Sequence, residues 1–182
     1  MHTILKNEIQ VFSGVGLDPF DPNPDNMNIE DIAHALSMQC RYAGHCTQFW
    51  SVASHSVLCS MVADNDEDAK TMLMHDAAEA YLIDVCRPIK YRYPELTAML
   101  KTSEEVIMNR LSKKFGFVWP MNAACKIIDD RMLWTEKRDI MAPSQWGTEI
   151  QSSVLPYEYL SCVGTYPEQA KSDFLKSFKA IF

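Results

Sequence analysis

Met74-His75-Asp76-Ala77-Ala78-Glu79 places three titratable side chains inside a run whose apolar spacing predicts a helix over 67–82. Ala69, Met72, Leu73, Ala77, Ala80 and Tyr81 form the core stripe of that helix, and His75, Asp76 and Glu79 interrupt or flank it. Neighbouring helical residues diverge by about 100°, so His75 and Asp76 can grip one cation only from adjacent strips of surface. Glu79 lies one turn beyond His75. An unpaired charge at the edge of a core costs several kcal/mol or gives up its charge, and a shared cation removes that conflict.

Two further segments supply partners for such a cation. Trp50 to Ala63 has helical spacing with small residues along one broad face, as close helix packing requires, and His55 sits among them. The helix predicted over 122–141 places Ala124, Ile127, Ile128, Leu133 and Trp134 toward the core, with Asp129 on the buried side beside Ile128. Arg131, Glu136, Lys137, Arg138 and Asp139 read as intrahelical ion pairs. His55, His75, Asp76 and Asp129, on three helices, would hold a divalent transition metal with two positions left in an octahedral shell. An open position lets the metal polarise a phosphoryl oxygen and generate hydroxide from bound water near neutral pH. Glu79 is placed to shuttle a proton or orient that water, and Asp84 shares the work from the following loop.

The rest of the chain reads as packing and punctuation. Residues 1–27 form an irregular loop with a short extended piece at Ile9-Gln10-Val11-Phe12, dense in Gly and Pro, with Phe20 available to line a pocket. Asn28 caps a helix carrying Ile29, Ile32, Ala33 and Leu36, and His34 lies off its apolar stripe. Arg41 beside Tyr42 is a candidate phosphate-and-base holder. Asp66 is the expected N-cap of the 67–82 helix, and Asp84 to Lys90 is a loop turned by Pro88, with Arg87 and Lys90 available to phosphate. Pro94 opens a long helix that stops at Gly116. Residues 142–164 read as loop with a short helix. Thr165-Tyr166-Pro167-Glu168 has capping-box spacing ahead of a terminal helix with Ala170, Phe174, Leu175, Phe178 and Ile181 on one face. The expectation is an all-α single domain over 1–182, a bundle of six or seven helices, with the motifs in 28–141.

With 182 residues, 47% hydrophobic and 23% charged, the chain can bury one good core, which supports the single domain. A formal net charge of −7 argues against duplex nucleic acid or an anionic membrane surface as partner. Cys40, Cys46, Cys59, Cys86, Cys125 and Cys162 form no Cys-x-x-Cys pair and read as reduced, mostly buried small hydrophobes of a cytoplasmic protein.

The ordered set of His, His-Asp and Asp on successive helices resembles the HD-domain superfamily of metal-dependent phosphohydrolases. Ser51-Val52-Ala53-x-His55-Ser56, His75-Asp76-x-x-Glu79, Asp84-x-x-x-Pro88-x-Lys90 and Asp129-x-Arg131-x-Leu133-x-Thr135-Glu136 are similar to its compact bacterial and phage branch. That branch holds 5′-deoxynucleotidases and small phage triphosphohydrolases acting on dATP. Asp31-Ile32-Ala33-x-Ala35-Leu36 and Arg41-Tyr42-x-Gly44-His45 read like the phage-type members.

The resemblance implies metal on His55, His75, Asp76 and Asp129, with Asp129 preferred over Asp130 for its spacing to Arg131 and Glu136. It implies Glu79 as catalytic carboxylate, Asp84 as a second acid near the water, and Arg41 and Lys90, with Arg87 nearby, as phosphate contacts. Pro88, Tyr42 and Phe20 are its candidates for base recognition. The implied cofactor is Zn, Mn, Co or Fe, with room for additional Mg on the phosphates. The expected activity is release of triphosphate from dATP, with 5′-deoxynucleotidase action on a monophosphate as the alternative and a non-catalytic nucleotide-binding domain as the third reading. A homo-oligomer, dimer or hexamer, in the cytoplasm of a bacterium or a phage-infected cell completes the expectation.

Overall fold

A computed structural model describes residues 7–143 and 154–182. The architecture is all-α. It contains helices α1 (Ile29–Met38), α2 (Val52–Met61), α3 (Asp66–Met74), α6 (Pro94–Phe115), α7 (Ala123–Ile140) and α8 (Pro167–Ile181). Two four-residue helices, α4 (Glu79–Leu82) and α5 (Arg87–Lys90), lie between α3 and α6. The extended N-terminal piece is half of a small antiparallel hairpin, β1 (Ile9–Gln10) against β2 (Gly16–Leu17). Among the described residues no helix is long and apolar enough to cross a membrane.

Helix α2 is the centre of the bundle, packing on α1, α3, α7 and α8. Its buried residues are mostly small: Val52, Ala53, Ser54, Ser56, Cys59 and Ser60, so four neighbours can approach closely. Polar members of this face find partners nearby, as where Ser60 donates to the carbonyl of Ala69 at 2.9 Å. One apolar cluster joins Ile32, Leu36, Leu73, Met74, Ile107 and Phe174, and a second joins Trp50, Cys59, Met72, Cys125, Met132 and Tyr157. Helices α2 and α3 contribute to both, so the seam between the two clusters runs along them.

Several boundaries follow the expected chemistry. Asn28 accepts from the Asp31 amide at 2.8 Å, and Pro94 and Gly116 bound α6, with Gly116 at φ +78 in the left-handed region. The N-terminal loop lies over α6, tied down where Arg110 meets Asp21 and Lys114 donates to the carbonyl of Pro24 at 2.6 Å. Phe174 and Ala170 of α8 are buried in the first cluster.

Other expectations need correcting. The 67–82 helix is broken: 75–78 stay wound but the bonds tighten to i→i+3, as from Ala77 N to Met74 O and Glu79 N to Asp76 O, both 2.9 Å. Asn65, not Asp66, is the cap, because its side chain accepts from the Asp68 amide at 2.8 Å while donating to the Asp68 carboxylate. Thr165 does not cap α8; its hydroxyl pairs with Ser54 Oγ at 3.1 Å, and Pro167 at the first position needs no acceptor. The Asp84–Lys90 loop winds into α5. The buried face of α7 is Cys125, Ile128, Met132, Thr135, Glu136 and Ile140, whereas Ile127 is exposed. The short helix expected within 142–164 is absent from the described part, 154–164, and its remainder lies outside the described residues.

One polar contact sets α3 against α7. Asp68, at the start of α3, accepts from Asn122 Nδ2 at 2.7 Å, and Asn122 in turn caps α7 by accepting from Cys125 N at 2.9 Å. These bonds, led by that from Asn122 and joined by Asn65 and Cys125, outweigh burial and hold the Asp68 carboxyl below its ordinary pKa. A depressed folded pKa gives stability that is present above the unfolded value of about 3.9 and is lost as pH falls through the lower folded value. Asp68→Ala should therefore lose about 1–3 kcal/mol at pH 7. Urea denaturation should show that difference shrinking as pH drops below about 3.9.

Candidate metal centre

The tight turn at 75–78 delivers His75 and Asp76 to a point facing α2. His75 is oriented by its own helix, its Nδ1 lying 2.7 Å from the carbonyl of Met72, which leaves Nε2 free to face the cluster. His75 Nε2 stands 3.2 Å from His55 Nε2 and 3.2 Å from Asp76 Oδ2. His55 Nε2 is 3.7 Å from Asp76 Oδ2 and 3.4 Å from Asp129 Oδ1. His55, His75 and Asp76 thus lie within 3.7 Å of one another, and Asp129 joins them through His55. Asp129 reaches His55 with Oδ1 and Arg87 with Oδ2, whereas Asp130 pairs with the same exposed guanidinium at 3.3 Å, so it is Asp129 that faces the histidines.

Cys59, one turn after His55 on α2, adds a thiol to the far side of the ring, its Sγ 3.6 Å from His55 Nε2. The donor atoms of His55, Cys59 and His75 all lie within 4.8 Å of one another and all three residues are buried, a grouping able to hold a metal ion. In the protein as it stands the two sides differ in charge. Burial pushes the Cys59 thiol up to about 11, so it is neutral. Burial also opposes ionisation of Asp76 and Asp129, yet the two histidines hold Asp129 at about 2 and, with Arg41, hold Asp76 well below the carboxylate range. His55 is raised: burial and Arg41 oppose its charge, and Cys59, Glu136 and Asp129 act the other way.

Glu136 is the site residue that sequence reasoning missed. Expected in a surface ion pair, it is fully buried and faces inward. Its Oε1 accepts from Trp50 Nε1 at 2.7 Å and lies 2.6 Å from His55 Nδ1. Its Oε2 accepts from the Tyr42 hydroxyl at 2.5 Å and from Arg41 Nε at 3.2 Å. Burial opposes its charge, but Arg41 and His55 hold the carboxyl at about 2. A carboxylate on the remote nitrogen fixes the tautomer and direction of a ligating histidine. The signal was present: Glu136 is seven residues, two turns, after Asp129 and so shares its face.

Arg41 spans the site, with NH1 3.3 Å from Asp76 and Nε on Glu136. Glu79 Oε2 is buried without a hydrogen-bond partner, beside a cavity of about 20 Å³ lined by Ala78, Glu79, Leu82 and Lys90 among others, room for one water. Burial first, then the negative charge of Asp76 and Asp84, raises its pKa well above the carboxylate range. Gln39 clamps the region by donating to the Glu79 carbonyl at 3.0 Å while accepting from the Asp84 amide at 2.9 Å. Among the described residues, the non-glycine positions with positive φ are Tyr42 (56), Ala43 (52) and Ile83 (63), next to Arg41 or Asp84. For Ile83 such a backbone is an outlier costing about 1–3 kcal/mol.

The remaining candidates sit further out. Arg87 bonds Asp129 Oδ2 at 2.9 Å and Lys90 bonds Glu104 at 2.8 Å. Pro88 lies in α5 between them. Phe20 is 59% exposed on the loop tied to α6, and its amide donates to Asp18.

Fold and site together define a helical-bundle protein with a buried histidine–carboxylate cluster. No family model matches the chain. It is 35% identical over 170 residues to YfdR of Escherichia coli K12, across 93% of each chain, and so belongs to the family of that protein, described as uncharacterized. It is also 36% identical over 89 residues to RCAP_rcc00048 of Rhodobacter capsulatus, likewise described as uncharacterized, across 44% of this chain and 45% of that one.

Removing the Glu136 carboxylate takes the acceptor from an indole N–H and a phenol and one of two carboxylates from the Arg41 guanidinium. Glu136→Ala should cost about 3–5 kcal/mol, read as a fall in the urea midpoint at pH 7.

Proposed function

We propose that this protein is a metal-dependent phosphohydrolase acting on a nucleotide, with His55, His75, Asp76 and Asp129 as the metal ligands. The observation that carries the reading is the spacing of the four donor atoms. Three of the separations, 3.2, 3.2 and 3.4 Å, fall within the ~3.0–3.4 Å between neighbouring ligands whose bonds to one ion are ~2.1 Å long, and the fourth, His55 to Asp76 at 3.7 Å, is slightly wider. Imidazole and carboxylate together suit Mn, Fe, Co or Zn. When bound, such an ion polarises a phosphoryl oxygen and makes hydroxide accessible near neutral pH.

The chain's own groups supply the rest. Glu136 holds His55 by Nδ1, and the carbonyl of Met72 holds His75 by Nδ1, so both Nε2 atoms face inward. Glu79, raised by burial and its acidic neighbours, can carry a proton at neutral pH and give it to a leaving oxygen. Arg41 fixes Asp76 and Glu136 while its charge faces the site. Arg87, half exposed and seated on Asp129, is free to turn toward a phosphate.

Between the two substrate classes, charge favours the smaller. Among the described residues, Arg41, Arg87 and Lys90 each already meet a carboxylate, and Asp84 and Asp130 stand close by. Such a site neutralises one phosphate more readily than three, which favours a deoxynucleoside monophosphate over the dATP expected from the sequence. The test is incubation with dAMP and with dATP, each with Mn²⁺ or Co²⁺. Orthophosphate from dAMP, abolished by chelator, is the expected product. Triphosphate from dATP would move the assignment to the triphosphohydrolase, and no metal-dependent product from either would end the proposal. Glu79→Gln should lower kcat about 10²–10⁴-fold with little change in stability.

A further inference from the structure

The histidine pair has two flanks, and only one of them is used by the arrangement proposed above. We infer that Cys59 makes this centre ambidentate: His55, His75 and Asp76 can hold a soft ion together with the Cys59 thiolate instead of with Asp129, and that state is inhibitory. The inference rests on the metal reading of the site and adds the regulation of it.

The donors lie near enough to one another for a shared tetrahedral ion. Bonds of ~2.3 Å to sulfur and ~2.05 Å to nitrogen at a tetrahedral angle put the two ligand atoms ~3.5 Å apart, and two such nitrogens ~3.3 Å apart. Cys59 Sγ is 3.6 Å from His55 Nε2 and the two Nε2 atoms are 3.2 Å apart; Sγ also lies 3.9 Å from His55 Nδ1, so the thiol stands beside the ring and must turn about its Cα–Cβ bond to reach an ion on Nε2. The third pair of donors also lies within 4.8 Å. Cys59 and His55 are four residues apart on α2, so the helix itself presents both on one strip. Asp76 Oδ2, 3.2 Å from His75 Nε2, is the fourth donor. Binding exchanges the S–H bond for a sulfur–metal bond, the proton passes to solvent, and no oxidation state changes.

Ligand softness then sorts the ions. Thiolate selects Zn²⁺ and Cd²⁺ over Mn²⁺ and Mg²⁺, which favour carboxylate and water. An ion bound by four protein atoms in a closed tetrahedron has no position for water, the mark of a structural rather than a catalytic site. Asp129 is released and falls to Arg87, its partner at 2.9 Å.

The test is a Cd²⁺ titration of the full chain followed by near-ultraviolet absorption. A sulfur-to-cadmium charge-transfer band should appear with one equivalent. It should be lost in Cys59→Ser and Cys59→Ala and kept in Cys46→Ser, which alters a partly exposed thiol outside the cluster. Cd²⁺ affinity should fall about 10- to 100-fold in the Cys59 variants, with Mn²⁺ affinity changing less than about threefold. A wild-type protein that hydrolyses nucleotide with Mn²⁺ but shows no such band, or a band that survives loss of Cys59, overturns this inference and leaves the hydrolase reading standing. A band that needs Cys59, in a protein with no Mn²⁺-dependent hydrolysis, upholds the thiolate site and overturns both the hydrolase reading and the inhibition inferred from it. The absence of a band on the unaltered chain overturns the inference whether or not a Cys59 variant folds.

Discussion

A single carboxylate, that of Glu136, governs how the site is built. Four donors from three parts of the chain converge on its two oxygens: His55 on α2, Trp50 just before it, and Arg41 with Tyr42 in the preceding turn. Burying a charge is tolerated only when it is paired and hydrogen-bonded, and here both lone-pair regions of each oxygen are engaged. The same bonds aim His55, bring Arg41 to Asp76 and bend the 41–44 turn into its positive-φ course. Position of the cluster and position of the loop are therefore one problem with one solution.

The cluster also explains why the protein carries unfavourable features elsewhere. Glu79 is left buried with an orphan oxygen, and Ile83 adopts a backbone that a β-branched residue avoids. Gln39, bonded to the backbone on either side of Ile83, supplies the restraint that keeps this geometry. Strain and an unsatisfied acid beside one another, in an otherwise well-capped bundle, are the usual signature of a site rather than of a packing element.

Much of this was legible in the residues. Helix punctuation by Asn28, Pro94 and Gly116 follows from backbone chemistry that tertiary contacts do not alter, and the apolar stripe of α8 is a plain 3.6-residue pattern. His55, His75, Asp76 and Asp129 could be named because acids and histidines near apolar stripes demand a reason. What could not be read was the face of α7. Apolar periodicity pointed to Ile127 and Trp134, but the buried strip includes Thr135 and Glu136, polar groups invisible to a hydrophobic pattern. The break in α3 was hidden for a related reason: His75 and Ala78 keep right-handed helical dihedrals, and a shift to i→i+3 bonding separates α3 from α4. Cys59 passed as a small core residue because sequence alone does not show which histidine it meets.

The Asp68–Asn122 contact acts as a fulcrum. His75 lies seven residues beyond Asp68, a lever of about 10 Å at ~1.5 Å per residue. A tilt of about 6° at the fulcrum swings the far end by about 1 Å, while coordination tolerates only about ±0.2 Å. Asparagine side chains at the base of two helices thus carry the angular tolerance of a cluster they never touch.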